Sequence, residues 1–356
     1  MEKIKVGVLG STGMVGQQYV SLLEHHPWFE VSFLVASEKS AGKNYEEATK
    51  GRWHIKNPVP VNAKKIIVRT VDDIEQAKKD CSFVFSALDS DIAQIYEEKY
   101  AEAGIPVVSN ASYHRMTKDV PMLIPEINHE HLKIIPVQQK NRGWKKGFIV
   151  VKPNCSLQSY MTPLYALHSA FKIKKAVITT MQAVSGAGHP GVASLDIVDN
   201  VIPLIKGEEE KSENEPLKIL GKIENDGIKN YDGVKISAHC NRVPVIDGHM
   251  ACVSVEFEKK PTKDQIVEAW KNFKSLPQEL NLPFAPDQPI IYKEEQDRPQ
   301  TRLDRDNDKG MAVTVGRLRE CNVLHYRFVG LSHNLIRGAA GGGILNAELL
   351  KAKNFL

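Results

Sequence analysis

The sequence predicts an α/β protein in two parts, and three observations carry the prediction. The first half alternates short β-branched runs with helical stretches. The second half turns to longer alternating strands, and three glycines mark the turn between the first strand and the first helix. At 356 residues the chain exceeds one small core, so two domains are expected. No apolar run reaches the ~18 residues of a membrane span.

The elements follow in order. "KIKVGVLG" reads as a strand, and "MVGQQYVSLLEHH" has the apolar spacing of a helix. "FEVSFLVAS", "KIIVRTV", "CSFVFSAL" and "IPVVSNAS" are further strands, separated by helical stretches such as "SDIAQIYEEKYAEAG". That order gives βαβ units and a parallel sheet. Between the first strand and helix, Gly10, Gly13 and Gly16 allow a tight turn. Their N–H groups can approach a pyrophosphate, whose charge a helix N-terminus favours. The half is therefore read as a Rossmann-like dinucleotide-binding domain. Its second strand closes on Ala36 and Ser37 rather than on an acidic residue, and Lys39, Ser40 and Lys43 follow. Hydroxyls and ammonium groups suit a 2′-phosphate, so NADP(H) is expected, with Glu38 keeping NAD open.

"FIVVKPNCSLQSYMTP" places Cys155 where a helix should begin, after Pro153 and Asn154. A helix N-terminus or a basic neighbour converts such a thiol to a nucleophilic thiolate. Cys81, Cys240, Cys252 and Cys321 lie in or beside strand patterns and are expected to be buried. Five cysteines without a CxxC pair exclude a disulfide framework and a zinc ribbon. A reducing cytoplasm and no metal are expected. The N-terminus enters a strand pattern directly, without a secretory apolar stretch. The net charge of +4 comes from scattered basic residues, which argues against a nucleic-acid binder and suits a small anionic substrate.

Beyond Cys155, "AVITTMQAVSG", "RVPVIDGHMACVSVEFE" and "MAVTVGRLRECNVLHYRFVG" predict a large antiparallel or mixed sheet. Thr262 and Gln265 form a capping box for the helix "PTKDQIVEAWKNF". The charged stretch Gly207–Asn214 reads as an exposed loop or helix start. The helical "LIRGAAGGGILNAELLKAK" is expected to return to the first domain, giving 1–153 plus 337–356 against 154–336. A cysteine nucleophile needs a base. His249, after the Asp247-Gly248 turn, is the first candidate and His333 the second.

Seven blocks, "GSTGMVGQQ", "SNASYHRM", "NRGWKKGFIVVKPNCS", "QAVSGAGHPG", "CNRVPVIDGH", "DRPQTRLDRD" and "LSHNLIRGAAGGG", together resemble the aspartate-β-semialdehyde dehydrogenases, in their archaeal and fungal branch. The likeness covers nearly the whole chain in the family's order. It implies NADPH-dependent reductive dephosphorylation of L-aspartyl-4-phosphate, a catalytic and dimerisation domain at 154–336, and a homodimer or homotetramer. It implies no nucleic-acid or membrane partner. Within the resemblance Cys155 forms a thioester, His249 is the acid/base, Gln182 orients the acyl group and Arg242 grips the α-carboxylate. Arg115 and Asn154 match phosphate-site residues. Glu215 and Lys218 fit a Glu-x-x-Lys pair for the substrate's amino group and phosphate, although Pro216 between them leaves Glu213 as a competitor. The cofactor would meet Gly10, Ser11, Thr12, Gly13, Met14, Val15, Ser37, Lys39, Ser40, Ser86, Ala87, Ser185, Gly186 and Asn334. The Ser156-Leu157-Gln158-Ser159 sequence after the nucleophile departs from the usual small residues. A malonyl-CoA reductase-like enzyme stays open on that account, as does a non-catalytic NADP-binding sensor.

Overall fold

A computed structural model describes residues 2–356. The β-branched runs of the first half form β1 (Ile4–Leu9), β2 (Phe29–Val35), β3 (Val68–Arg69), β4 (Phe83–Ser86), β5 (Val107–Ser109) and β6 (Ile149–Val151). They pair in parallel, in the order β3-β2-β1-β4-β5-β6. Every residue of β4, β5 and β6 is buried, because helices cover both faces. The C-terminal helix Gly341–Ala352 packs against β5 and against the first helix, Met14–Leu23. Its small residues permit the approach: a Cβ on Gly343 would fall 1.8 Å from the Tyr19 hydroxyl.

The second half forms β7 (Ile173–Gln182), a small hairpin of β8 (Lys222–Glu224) and β9 (Gly227–Lys229), then β10 (Lys235–Arg242), β11 (His249–Phe257), β12 (Ile290–Lys293), β13 (Val313–Glu320) and β14 (Tyr326–Ser332). Apart from the hairpin these make a mixed sheet, β10-β7-β11-β14-β13-β12, with β7/β10 and β12/β13 parallel and the remaining pairs antiparallel. One face packs on the helices Met161–Phe171 and Lys263–Lys271. The second of these helices opens with the expected Thr262/Gln265 capping box. A single apolar cluster runs from Val107 and Val151 in the first sheet through Leu167 and Trp270 to Val253 and Phe328 in the second. The other face of the mixed sheet is open, with Val177 46% exposed. Cys252 lies on that face of β11 and is exposed rather than buried, because its alternate neighbours Ala251 and Val253 take the inner positions.

Candidate active site

Residues at the strand ends of both sheets line one cavity. At the carboxyl edge of the parallel sheet, β6 stops at Val151 and Lys152-Pro153-Asn154 carries the chain to Cys155. At the facing edge of the mixed sheet, β7 ends on Gln182 directly beside Arg242, the last residue of β10. His249 opens β11 opposite Ser332, the last residue of β14. Open α/β sheets bind ligands outside the carboxyl ends of their strands. Here a cavity of about 440 Å³ occupies that place. Met14 and Val15 line one end, and Cys155, Gln182, Arg242 and Asn334 the other.

Cys155 heads a short 3-10 turn, Ser156–Ser159, rather than the regular helix expected; the α-helix starts at Met161. The Asn154 side chain sets this turn, because its Oδ1 accepts from Ser156 N at 2.8 Å and Ser156 Oγ at 2.7 Å. Gly338 backs the nucleophile so closely that a Cβ there would sit 3.0 Å from the Cys155 Cβ. That glycine belongs to an irregular π-type segment, Ile336–Ala340.

Cys155 Sγ and His249 Nε2 are 3.3 Å apart. The ring's Nδ1 accepts the Ala183 N–H at 3.0 Å, so the neutral ring carries its proton on Nε2, facing the sulfur. Burial, with Arg242, His333 and Lys152 nearby, pushes the ring down to about 3 and keeps it neutral. Burial pushes the Cys155 thiol up and Glu208 adds to this, against Lys152, Arg115 and Arg242. Asn334 holds the histidine's turn: its Oδ1 accepts from Gly248 N and its Nδ2 donates to Ser185 Oγ, both at 2.8 Å. The second candidate base, His333, lies 3.8 Å from Asp306 instead.

Arg242 is buried, yet among the described residues its side chain makes one hydrogen bond, Nη1 to Ala183 O at 2.8 Å. No ion pair among the described residues involves it. A guanidinium held this way offers a free fork to a carboxylate. A Cβ on Gly186 would come within 2.9 Å of that Nη1 and 3.0 Å of His249 Nε2, so glycine leaves the space between them open.

The charged stretch from Gly207 is the helix start that the sequence offered beside a loop: the helix spans Glu208–Ile219, with Pro216 inside it and a buried face of Glu208, Ser212 and Glu215. Glu213 accepts from Ala238 N, and Glu215 accepts from Arg115 Nη1 at 3.0 Å and Asn154 N at 2.6 Å. Lys218 gives its three protons to the carbonyls of Arg115, Thr117 and Val120 at 2.6–2.8 Å. It has none left for a phosphate. The pair that lines the cavity is Glu208 and Lys211, with the same i, i+3 spacing and joined at 2.9 Å. Glu208 also accepts from Asn154 Nδ2 at 2.8 Å and Gln182 Nε2 at 3.2 Å. The sequence holds both spacings in one charged run; which one faces the cavity depends on where the helix begins.

The glycine turn fits a dinucleotide on this structure's own geometry. Gly10 has φ +76°, and a Cβ on it would lie 2.6 Å from Ala87 O; on Gly16 it would lie 2.2 Å from Gly10 O. Gly13 meets nothing closer than 3.5 Å and is exposed, so its missing side chain leaves room. Asn110 Oδ1 and Arg115 Nε, both buried beside the cavity, have no hydrogen-bond partner among the described residues. Ser11 is tied into the domain: its N–H and its hydroxyl both donate to Val35 O, and its carbonyl accepts from the Tyr45 hydroxyl. Thr12 accepts from Gln17 through its carbonyl. Ser86 is buried at the end of β4. After β2, Ser37 and Lys39 are exposed. Ser40 is buried and accepts from Arg52 Nη2 at 2.9 Å. Sequence reading missed Arg52, which is 12 positions away and reaches this loop only in the fold.

A family model described as semialdehyde dehydrogenase, NAD binding domain, matches residues 5–135, and one described as semialdehyde dehydrogenase, dimerisation domain, matches residues 164–337. Aspartate-semialdehyde dehydrogenase of Archaeoglobus fulgidus is 49% identical over 98% of both chains, and that of Schizosaccharomyces pombe 45% identical over 99% of both. The crystal structure of the Candida albicans enzyme with NADP superposes with a TM-score of 0.91 at 42% identity over 100% of both chains. On these matches across both halves, the chain belongs to the aspartate-semialdehyde dehydrogenase family.

Proposed function

We infer that this chain is an NADPH-dependent aspartate-semialdehyde dehydrogenase, converting L-aspartyl-4-phosphate to L-aspartate 4-semialdehyde and phosphate. This is a step toward lysine, threonine, methionine and isoleucine. The observation that carries the reading is the 3.3 Å Cys155–His249 pair in one cavity with an unpaired Arg242 and the Glu208/Lys211 pair.

Cys155 attacks the acyl phosphate, forming a C–S bond as the C–O bond to phosphate breaks. His249, with its proton on Nε2, donates toward the sulfur. Gln182, held by Glu208 and by Thr180 Oγ1 at 3.2 Å, stands beside the acyl group. The Arg242 fork takes the α-carboxylate. Glu208 takes the substrate ammonium, and Lys211, Arg115 and Asn154 face the phosphate. A nicotinamide cofactor, when bound, would supply the hydride for reduction of the thioester to the aldehyde, with Cys155 released as thiolate. Gly10, Gly13, Met14 and Val15 would hold its pyrophosphate, Ser37, Lys39 and Arg52 its ribose phosphate, and Ser185, Gly186 and Asn334 its nicotinamide end. The five free cysteines support a reducing cytoplasm. The open sheet face, with Val177, Met181, Met250 and Cys252, supports pairing with a second copy as a homodimer or as half of a homotetramer.

The test is NADP reduction by aspartate semialdehyde in the presence of phosphate or arsenate. Activity that depends on the oxyanion is expected. Reduction of malonyl-CoA without aspartyl phosphate turnover would favour the reductase reading, and inactivity with both donors the sensor.

A further inference from the structure

Gln17 lies one turn into the helix Met14–Leu23 and is fully buried. Its amide is completely engaged. Nε2 donates to Thr12 O and to Arg52 O, both at 2.8 Å, and Oε1 accepts the His54 N–H at 2.8 Å. Two carbonyls at one end and an N–H at the other fix which end of the amide is nitrogen. A buried amide is satisfied in this way only while all three partners stay in place. Gln17 therefore joins two segments that lie 35 positions apart in sequence. One is the glycine turn, through Thr12. The other is the stretch after β2 that carries Arg52.

That stretch has little regular structure of its own. Its helix, Tyr45–Thr49, is five residues long, and Gly51, at φ +75°, turns the chain out of it. Two ties dock it on the glycine turn: the Tyr45 hydroxyl donates to Ser11 O at 2.7 Å at the near end, and Gln17 holds Arg52 O at the far end. Arg52 is exposed. Its Nε and Nη2 are engaged by Ala48 O and Ser40 Oγ, and its Nη1 has no partner among the described residues.

We propose that Gln17 is a positioning residue for coenzyme choice, holding the Arg52 guanidinium in register with the pyrophosphate turn so that it meets the 2′-phosphate of a phosphorylated dinucleotide. The inference rests on the coenzyme contacts proposed above. NADP and NAD carry the same pyrophosphate, so the turn alone binds both alike. Gln17 couples that turn to the one group that differs. Without it Tyr45 still docks the segment, and what is lost is the setting of Arg52.

The experiment titrates NADPH and NADH by their fluorescence into the full-length wild type, Gln17→Met, Gln17→Glu, Arg52→Gln and the double variant Gln17→Met/Arg52→Gln, with a Tm for each. It needs no acyl donor, so it is independent of the substrate assignment. Methionine keeps the length and removes all three hydrogen bonds; glutamate keeps the acceptor for His54 and removes both donors. Each Gln17 change should reduce the preference for NADPH, read as the ratio of the two Kd values, by about three- to fivefold, up to the loss from Arg52→Gln itself. Any loosening of the turn acts on both coenzymes and cancels in that ratio. The double variant should match Arg52→Gln alone, since a missing guanidinium cannot be misplaced. An unchanged ratio in the Gln17 variants, whether both coenzymes weaken equally or neither does, would overturn the inference. So would a further drop in the double variant, or failure of both Gln17 variants to fold, because the amide would then serve the fold. An unchanged ratio in Arg52→Gln would overturn the ribose-phosphate contact itself, and the role of Gln17 with it.

Discussion

The two ends of the cavity are built from different materials. The cofactor end is backbone: a strand, three glycines and a helix contiguous in sequence, shaped by where a Cβ cannot go. The reaction end is side chain: Cys155 after β6, Gln182 and Arg242 from the ends of β7 and β10, His249 from β11 and Glu208 from a separate helix. A backbone site follows from local steric rules, so it should fail all at once when one atom is added. A side-chain site is a meeting of distant strand ends, so its members should fail separately and in different kinetic quantities.

The largest effect expected is at the nucleophile. Cys155→Ser replaces an ionisable thiol by an alcohol that is scarcely nucleophilic near neutrality. Turnover should drop by roughly 10⁴-fold, the scale of losing one member of a nucleophile pair, while NADPH affinity, followed by fluorescence titration, stays within error. Near-normal turnover would refute the thioester mechanism. At the other end, Gly16→Ala places a Cβ 2.2 Å from Gly10 O, a backbone atom that cannot swing aside. Overpacking of this kind costs about 1–3 kcal/mol, and here it should appear as a lower Tm together with weaker NADPH binding. A variant that melts normally and binds normally would show that the turn is not the rigid cradle described.

That contrast also decides what could be read from the residues alone. The parallel sheet, the glycine turn and Cys155 were legible because each is coded within about a dozen neighbouring residues. Cys155, Gln182, Arg242 and His249 were placed by their motifs; the fold sets the first three on the wall of one cavity and His249 behind it, 3.3 Å from the Cys155 sulfur. The Glu-x-x-Lys spacing read at Glu215 and Lys218 occurs a second time at Glu208 and Lys211, and which pair faces the cavity is set by the helix start after Gly207. Arg52 was invisible because its partner, Ser40, lies across a loop. The exposure of Cys252 is a matter of strand phase, and a one-residue change in phase reverses inside and outside.

The next effect separates the substrate's own groups. Arg242→Lys keeps the charge and loses the fork, so the substrate forfeits a charge-assisted contact of about 1.5–3 kcal/mol. KM for aspartate semialdehyde should rise by roughly one to two orders of magnitude with little change in NADP affinity. If instead Tm falls and KM is normal, Arg242 serves the sheet. Glu208→Gln and Glu215→Gln sharpen the same point. The Glu208 change should act on KM, because that carboxylate faces the cavity. The Glu215 change should lower Tm, because it strips Arg115 and the Asn154 N–H of their shared acceptor.

The smallest effect is expected where the two kinds of construction meet, at the 2′-phosphate. The cradle holds any pyrophosphate and cannot distinguish NADP from NAD; that choice falls to side chains after β2. Ser37 and Lys39 are exposed there, and Arg52 is tied to the loop by Nη2 to Ser40 Oγ, with Nε on Ala48 O at 3.0 Å. Exposed charge pairs are screened and contribute about 1 kcal/mol or less each, which is roughly a fivefold preference per cation. Lys39→Gln and Arg52→Gln should each lower kcat/KM for NADP about fivefold and leave kcat/KM for NAD unchanged. The Arg52 change should be the larger, because two hydrogen bonds already fix that guanidinium and less freedom is lost when phosphate arrives. If both coenzymes lose equally, the two cations support the loop and not the phosphate. If neither changes, the preference rests on Ser37 and the backbone, and the cofactor end is built of backbone throughout.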